Sequence, residues 1–216
     1  MFTLPNLPFG YDALAPSISE RTLRHHHDKH HAKYVDTTNA LLKDKPELAS
    51  TPLEQVIAAA REGKETKLFN NAAQAWNHGF LWETLAPGGQ TPDGALEEAI
   101  REAFGDLEGL KTAFVTEAVG HFASGWAWLI AEEGKLKVIS THDAETVADR
   151  DGVTPLYVAD VWEHAYYLDY QQDREGFLRT SFDTVTNWRF AETQFKAARN
   201  DGKGAYRFPE PQQKAA

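Results

Sequence analysis

The sequence predicts an α+β protein: an N-terminal helical hairpin domain followed by a C-terminal domain of helices around a three-stranded antiparallel sheet. Three observations carry this. Through the first 90 residues glycine is scarce and apolar residues recur at three and four positions. Pro87-Gly88-Gly89-Gln90-Thr91-Pro92-Asp93-Gly94 is the strongest break in the chain. Beyond it, short apolar runs bounded by turn residues alternate with helical spacing. The expected organisation is a domain over 1–90, a second over 91–200, and a loose tail over 201–216, rich in Gly, Pro, Gln and Lys.

The elements follow in order. Ser19-Glu20 opens a long helix running to about Lys43, with Leu23, Tyr34, Leu41 and Leu42 as apolar contacts. Thr51-Pro52-Leu53-Glu54 reads as a second start: a capping Thr, a Pro at the first helical position and a Glu three after the cap. Lys67 to Leu85 is apolar around much of its circumference, which marks a central helix packed on several sides. Leu96 to Phe104 and Leu107 to Phe122 read as helices, the second with Phe114, Val115, Ala118, Val119 and Phe122 on one face. Trp126 to Ala131 and Leu136 to Ser140 flank Glu132-Glu133-Gly134-Lys135 as a hairpin, and Leu156 to Val161 is a third strand. Helical spacing resumes near Ala165 and again from Asp183 to Arg199.

Composition removes several classes of function. Lys and Arg number 22 against 32 Asp and Glu, a net charge of -10 with no long basic cluster, so nucleic acid is not an expected partner. No apolar run approaches bilayer length, and the start lacks the basic-then-apolar pattern of a secretory signal; a soluble, cytoplasmic protein without membrane partners is expected. Cysteine is absent, which excludes disulfides, thiolate metal sites and a cysteine nucleophile. A metal must then be held by His, Asp, Glu or Tyr. The chain has nine histidines, and five of them fall between residues 25 and 31.

Within His25-His26-His27-Asp28-Lys29-His30-His31-Ala32-Lys33-Tyr34, helical spacing places His26, His30 and Tyr34 along one stripe. Taken alone, this segment reads more simply as a polar surface. His78 lies among Trp76, Phe80 and Trp82, where a lone imidazole is more often a hydrogen-bonded core group. Asp160 and His164 change the balance: an aspartate four residues from an imidazole, among Trp162, Tyr166 and Tyr167, is costly unless a cation compensates it. Together, His26, His78, Asp160 and His164 are the expected ligands of one mononuclear site of three imidazoles and a carboxylate, suited to a first-row ion. Zinc hydrolysis is compatible with that set, but no HExxH motif accompanies it, and redox chemistry fits better.

The sequence resembles the iron/manganese superoxide dismutase family. LPNLPFGYDALAPSIS is similar to the family's opening segment, HHHDKHHAKYV to its first ligand helix and FNNAAQAWNHGFLWETLAP to its second. HFASGWAWLI is similar to its aromatic strand, and DVWEHAYYLDY to its most specific signature; the motifs follow the family's order from about residue 4 to 198. The resemblance implies an oxidoreductase converting superoxide to dioxygen and hydrogen peroxide on one iron per subunit, held by His26, His78, Asp160 and His164, with manganese as the alternative ion. It further implies that Tyr34 and His30 form the gateway for substrate and protons. Tyr167 reaches the gateway histidine, and Glu163 a ligand histidine, across a homodimer, with a tetramer as the alternative assembly. Trp76, Trp126, Trp128 and Trp162 line or support the cavity, and Arg174 matches a basic residue at its mouth. Gln74, one turn before His78, matches the glutamine that iron-type members aim at the metal's solvent ligand. Manganese-type members supply that glutamine from the loop after the second strand, a position that here falls on Ala144, with His142 as the alternative. The pair Gln74 and Ala144 argues for iron. Ala123 where a glycine is common and Asp183 where an aromatic is common are departures from the pattern. A histidine-rich metal-sequestering protein and a non-catalytic relative of the family are the competing readings.

Overall fold

The computed structural model describes residues 1–211. Glu20–His25 (α1) starts where expected: the Ser19 hydroxyl accepts the Thr22 amide, and Glu20 favours the positive end of the helix. It does not continue as uniform α-helix to Lys43. His26–His31 widens into a π-helical turn before Ala32–Leu41 (α2) resumes α geometry. Each backbone bond in such a turn spans five residues, which brings positions five apart onto one side. His26, His27 and His31 are accordingly buried, while His25 and Lys29 are exposed.

Leu53–Glu62 (α3) corrects the expected capping pattern. No side chain caps this helix, and the Thr51 hydroxyl donates to the Leu48 carbonyl instead. Glu54 is buried and accepts from Trp76 Nε1 at 2.8 Å and from the Phe208 amide at 2.9 Å, partners far away in sequence. Thr66–Glu83 (α4) packs on both α2 and α3 and is buried without interruption from Ala72 to Trp82, as its all-round apolar pattern predicts.

The second half contains Gly94–Phe104 (α5), Leu107–Gly120 (α6), Gly125–Glu132 (β1), Lys135–His142 (β2), Val153–Asp160 (β3), Tyr167–Tyr170 (α7), Arg174–Val185 (α8) and Trp188–Ala198 (α9). The sheet is antiparallel with order β2-β1-β3. β1 lies in the middle and is buried from Gly125 to Ala131, with α6 against β1 and β2 and α9 against β3. An unbroken apolar run is what a strand covered on both faces requires. Asp160, the last residue of β3, sits opposite Trp126.

Three further expectations need correction. α6 ends at Gly120, so only Phe114, Val115 and Ala118 of its expected apolar face are buried; Val119 is 42% exposed and Phe122 90%. The single helix expected over Asp183–Arg199 is two, because the chain turns at Thr186-Asn187. There the Asn187 side chain caps α9 at Phe190 N and also donates to the Glu83 carbonyl. The tail expected to be loose docks as far as Phe208: Phe208 is buried and packs at 6.0 Å on Phe2, and Tyr206 packs on Trp76 and Phe80. Gly79 makes this possible, since a Cβ there would come within 2.6 Å of the Tyr206 hydroxyl. Residues 212–216 of the expected tail lie outside the described residues. The departures Ala123 and Asp183 are both accommodated. Ala123 adopts a left-handed φ of 67°, the reason glycine suits that position, and Asp183 pairs with Lys111 at 2.7 Å. No helix among the described residues is long and apolar enough to cross a membrane.

Candidate metal centre

Four elements converge on one point. His26 comes from the π turn, His78 from the middle of α4, Asp160 from the end of β3, and His164 from the short 3-10 turn Glu163–Ala165. One side-chain nitrogen or oxygen from each lies within 4.8 Å of all the others. Asp160 Oδ2 is 3.0 Å from His26 Nε2, 3.1 Å from His164 Nε2 and 3.6 Å from His78 Nε2.

The orientation of these groups is set from behind. His78 Nδ1 donates to the Gln74 carbonyl at 2.7 Å, which leaves the Nε2 lone pair aimed at the centre. Asp160 Oδ1 accepts the Trp162 amide at 2.8 Å and leaves Oδ2 to face the imidazoles. Burial by itself raises the Asp160 carboxyl, but the neighbouring His164 and His26 imidazoles more than offset it and hold the group ionised well below the usual carboxylate range. Burial likewise pushes His26 and His78 down, so both are neutral and have lone pairs to offer. His78 Nε2 and His164 Nε2 are buried with no hydrogen-bond partner. Orphaned buried acceptors around an ionised carboxylate are costly in a protein interior, and one cation relieves all of them. The donor set fits a first-row metal ion with imidazole and carboxylate preference.

The surrounding residues fall into two layers. Gln74 is buried between α4 and β1. Its Oε1 accepts Trp126 Nε1 at 3.0 Å, which turns its amide nitrogen towards the Tyr34 hydroxyl at 3.4 Å. Tyr34 lies 5.3 Å from the His78 ring, and burial pushes its phenol up. The His30 ring stacks on His164 at 4.0 Å, and burial followed by the neighbouring His164 pulls it down to about 4. Trp126 and Trp162 pack on His78 and His164 respectively. Trp128 lies behind Trp126, and Trp76 turns away to Glu54 and the C-terminal segment. His142 is exposed and faces His121, so it does not reach the centre; Ala144 is buried. Glu163 and Tyr167 are exposed on this single chain. Arg174 donates to Tyr166 Oη and to the carbonyls of His121 and Ala123.

Residues 1–86 match the alpha-hairpin domain of the iron/manganese superoxide dismutases, and residues 92–194 match the C-terminal domain of the same proteins. The chain belongs to the iron/manganese superoxide dismutase family. Among its relatives is a superoxide dismutase designated Fe from Synechococcus elongatus, 48% identical over 199 residues, covering 91% of this chain and 98% of the relative. Another designated Fe, from Entamoeba histolytica, is 46% identical over 193 residues, covering 89% and 98%. A relative from Rickettsia bellii designated Mn/Fe is 42% identical over 192 residues, covering 88% and 91%. Three of the four converging groups lie inside the two matched regions as helix or strand residues, and His164 lies in a turn of the second.

Two residues of the centre lie outside the ligand and gateway set expected from the sequence. Trp82, one turn after His78, packs its ring 4.9 Å from His26 and donates to His31 Nδ1 at 2.9 Å. His31 in turn holds the Ala75 carbonyl through Nε2 at 2.9 Å. Trp82 was within reach of an i, i+4 argument from His78. His31 was not, because it shares a side with His26 only through the π turn.

Proposed function

We propose that the chain is a superoxide dismutase with one iron ion per subunit, manganese being the alternative ion, held by His26, His78, Asp160 and His164. The observation that carries this is the buried, ionised Asp160 facing three imidazole nitrogens, two of which have no other partner. A metal ion held by these four residues would supply one-electron redox chemistry, by which two superoxides and two protons become dioxygen and hydrogen peroxide.

The chain's own residues supply charge, orientation and protons. Asp160 brings the one negative charge of the ligand set, which lowers the net charge of the centre and favours the higher oxidation state of a cation. Trp126, Trp82 and Trp162 form a low-dielectric wall around it. Tyr34 is protonated at neutral pH like any phenol, burial raises it further, and its hydroxyl stands as a proton donor beside the centre. His30, neutral and stacked on His164, forms the second half of the gateway. Gln74 ties the Tyr34 hydroxyl to Trp126 and lies one turn before His78, which is the basis for favouring iron.

A homodimer, with a tetramer as the alternative, belongs to the same proposal. Phe122 at 90% exposure, Tyr167 at 48% and Leu168 at 45% are large apolar groups that an isologous contact would cover, with Glu163 pairing twice. The cytoplasmic location expected from the sequence is also part of the proposal. The metal-sequestering reading finds no support in the geometry, since His27 pairs with Tyr11, Asp28 and the Pro5 carbonyl, and His31 with Ala75 and Trp82. The decisive experiment is metal analysis with a superoxide-consumption assay on iron- and manganese-reconstituted protein. Near-stoichiometric metal with catalytic turnover is the expected result; bound metal without turnover would reject the enzyme.

A further inference from the structure

A cleft of about 800 Å³ lies where α3, the turn between β1 and β2, the connection from β2 to β3 and the C-terminal segment meet, and none of the four metal-centre groups lines it. Its size is that of a small-molecule site, roughly 300–1,000 Å³. The buried Glu54 and Trp76 line it together with the half-buried Tyr206. Tyr206 and Arg207 follow residue 194, where the family match ends, so the wall they form lies outside the two matched domains.

Glu54 uses its two oxygens unequally. Oε1 accepts Trp76 Nε1 at 2.8 Å and the Phe208 amide at 2.9 Å, while Oε2 is buried without a hydrogen-bond partner, on a residue only 6% exposed. A carboxylate oxygen left unpaired inside a protein is costly, so a donor belongs at that end of the cleft. Charge selects its sign. Glu133, Asp151 and Asp201 are exposed at the rim with Arg150 and Arg207, and Asp149 is already paired with Arg61 at 2.6 Å, so Glu54 leaves the cleft with an excess of negative charge. The rings select its chemistry. Trp76 and Tyr206 meet edge to face at 5.4 Å beside the carboxylate, and aromatic faces next to a carboxylate attract organic ammonium groups. Oε2 also needs an N–H, which a primary ammonium supplies and a quaternary one lacks.

We propose that this cleft binds a primary aliphatic ammonium of the diamine or polyamine class, one ammonium donating to Glu54 Oε2 beside Trp76 and Tyr206 and a second lying among the rim carboxylates. The alkyl stem between them packs on the apolar lining, which includes Ala58, Val147 and Pro155. The Phe208 amide on the same carboxylate and the Tyr206 amide on Gln194 Oε1 at 2.9 Å hold the C-terminal segment next to the site. Ligand uptake is therefore coupled to how firmly that segment is docked.

The test uses the iron-loaded full-length protein at low ionic strength, titrated with putrescine by calorimetry while hydrogen exchange of the C-terminal segment is followed. Saturable binding of one equivalent, with slower exchange in that segment, is expected. Glu54→Gln keeps an acceptor for Trp76 and Phe208 but puts a donor in the place of Oε2, and it should weaken binding about tenfold, the worth of one hydrogen bond to a charged group. If circular dichroism shows that this variant has lost its fold, the double variant Asp151→Asn with Asp201→Asn carries the test. It is altered only at exposed positions and should weaken binding about threefold. Tetramethylammonium should neither compete with putrescine nor slow exchange. The proposal fails if putrescine gives no saturable heat, as a cleft filled by water alone would. It fails if tetramethylammonium competes equally, which would show general attraction to a chain of net charge -10. It also fails if affinity in the folded variants stays within about twofold of wild type. Because the readouts are binding heat and exchange, the outcome does not depend on whether the metal centre is a dismutase.

Discussion

Asp160 divides its two oxygens between the backbone and the imidazoles, and that division sets what its loss should do. Asp160→Ala removes the one negative ligand and leaves three orphaned imidazoles, and His78→Ala removes a nitrogen that no cysteine can replace; both should abolish bound metal and turnover. Stoichiometric metal with near-normal activity in either variant would rule out the proposed ligand set. Gln74 combines a structural and a tuning role, because its Oε1 satisfies Trp126 while its amide nitrogen faces Tyr34. Gln74→Ala should cost about 1–3 kcal/mol for the abandoned indole donor, retain metal, shift the reduction potential and lower turnover. An unmoved potential in iron-loaded protein would reduce Gln74 to its structural role. His31 sets an acid limit on stability. It accepts from Trp82 at Nδ1 and donates to Ala75 at Nε2, so it must be neutral, and burial followed by His27 pulls it down to about 3. Its folded value lies below its unfolded one, so the unfolded chain binds the extra proton and stability falls as pH drops from about 6.5 towards 3. The contribution is about 2 kcal/mol by pH 5. His31→Gln keeps an acceptor and a donor without a titrating group, and its urea midpoint should fall less steeply between pH 7.5 and 5 than that of the wild type.

At the scale of elements, the π turn and the C-terminal segment do most to shape the centre. A regular α-helix through His26–His31 would place His30, four positions on, beside His26. The wider turn instead buries His31 beneath Trp82 and leaves His30 half-buried against His164. The C-terminal segment anchors α3 to α4 through Glu54, which holds Trp76 and the Phe208 amide on one oxygen. Phe208→Ala should cost about 3–5 kcal/mol, the usual penalty for emptying a buried phenylalanine site. It would be measured by chemical denaturation of metal-loaded protein. A loss below 1 kcal/mol would mean that the segment is docked without stabilising the fold.

On the scale of the whole molecule, the exposed Phe122, Tyr167 and Leu168 call for a covering partner, and a second copy is the simplest one. Glu163 lies on the same chain segment as His164, so an isologous contact would couple assembly to the metal centre. Glu163→Ala should therefore weaken association and metal retention together, as read by light scattering and metal content at decreasing protein concentration. A fully active monomeric wild type would contradict this coupling.

Much of the architecture is local in origin and was legible without coordinates. The hairpin Trp126 to Ser140, the all-round apolar α4 and the break at Pro87 to Gly94 follow from periodicity and turn chemistry, which act over a few residues. Asp160 and His164 stood out because such groups are costly among aromatics unless something compensates them, whereas His26 and His78 read singly as surface and core groups and joined them only in the combined reading and through the family resemblance. Their convergence was a different matter, as was everything that depends on groups distant in sequence. Glu54 read as part of a helix cap and is buried under Phe208, 154 residues away. Val119 and Phe122 read as core and are exposed, since a helix that stops at Gly120 cannot carry their stripe further. The π turn replaced a spacing of four by one of five, and that turn packs against α4, an element distant in the chain. Sequence determines which residues seek burial or a partner; the tertiary structure alone decides which partner they meet, because that choice is made by close packing between elements far apart in the chain.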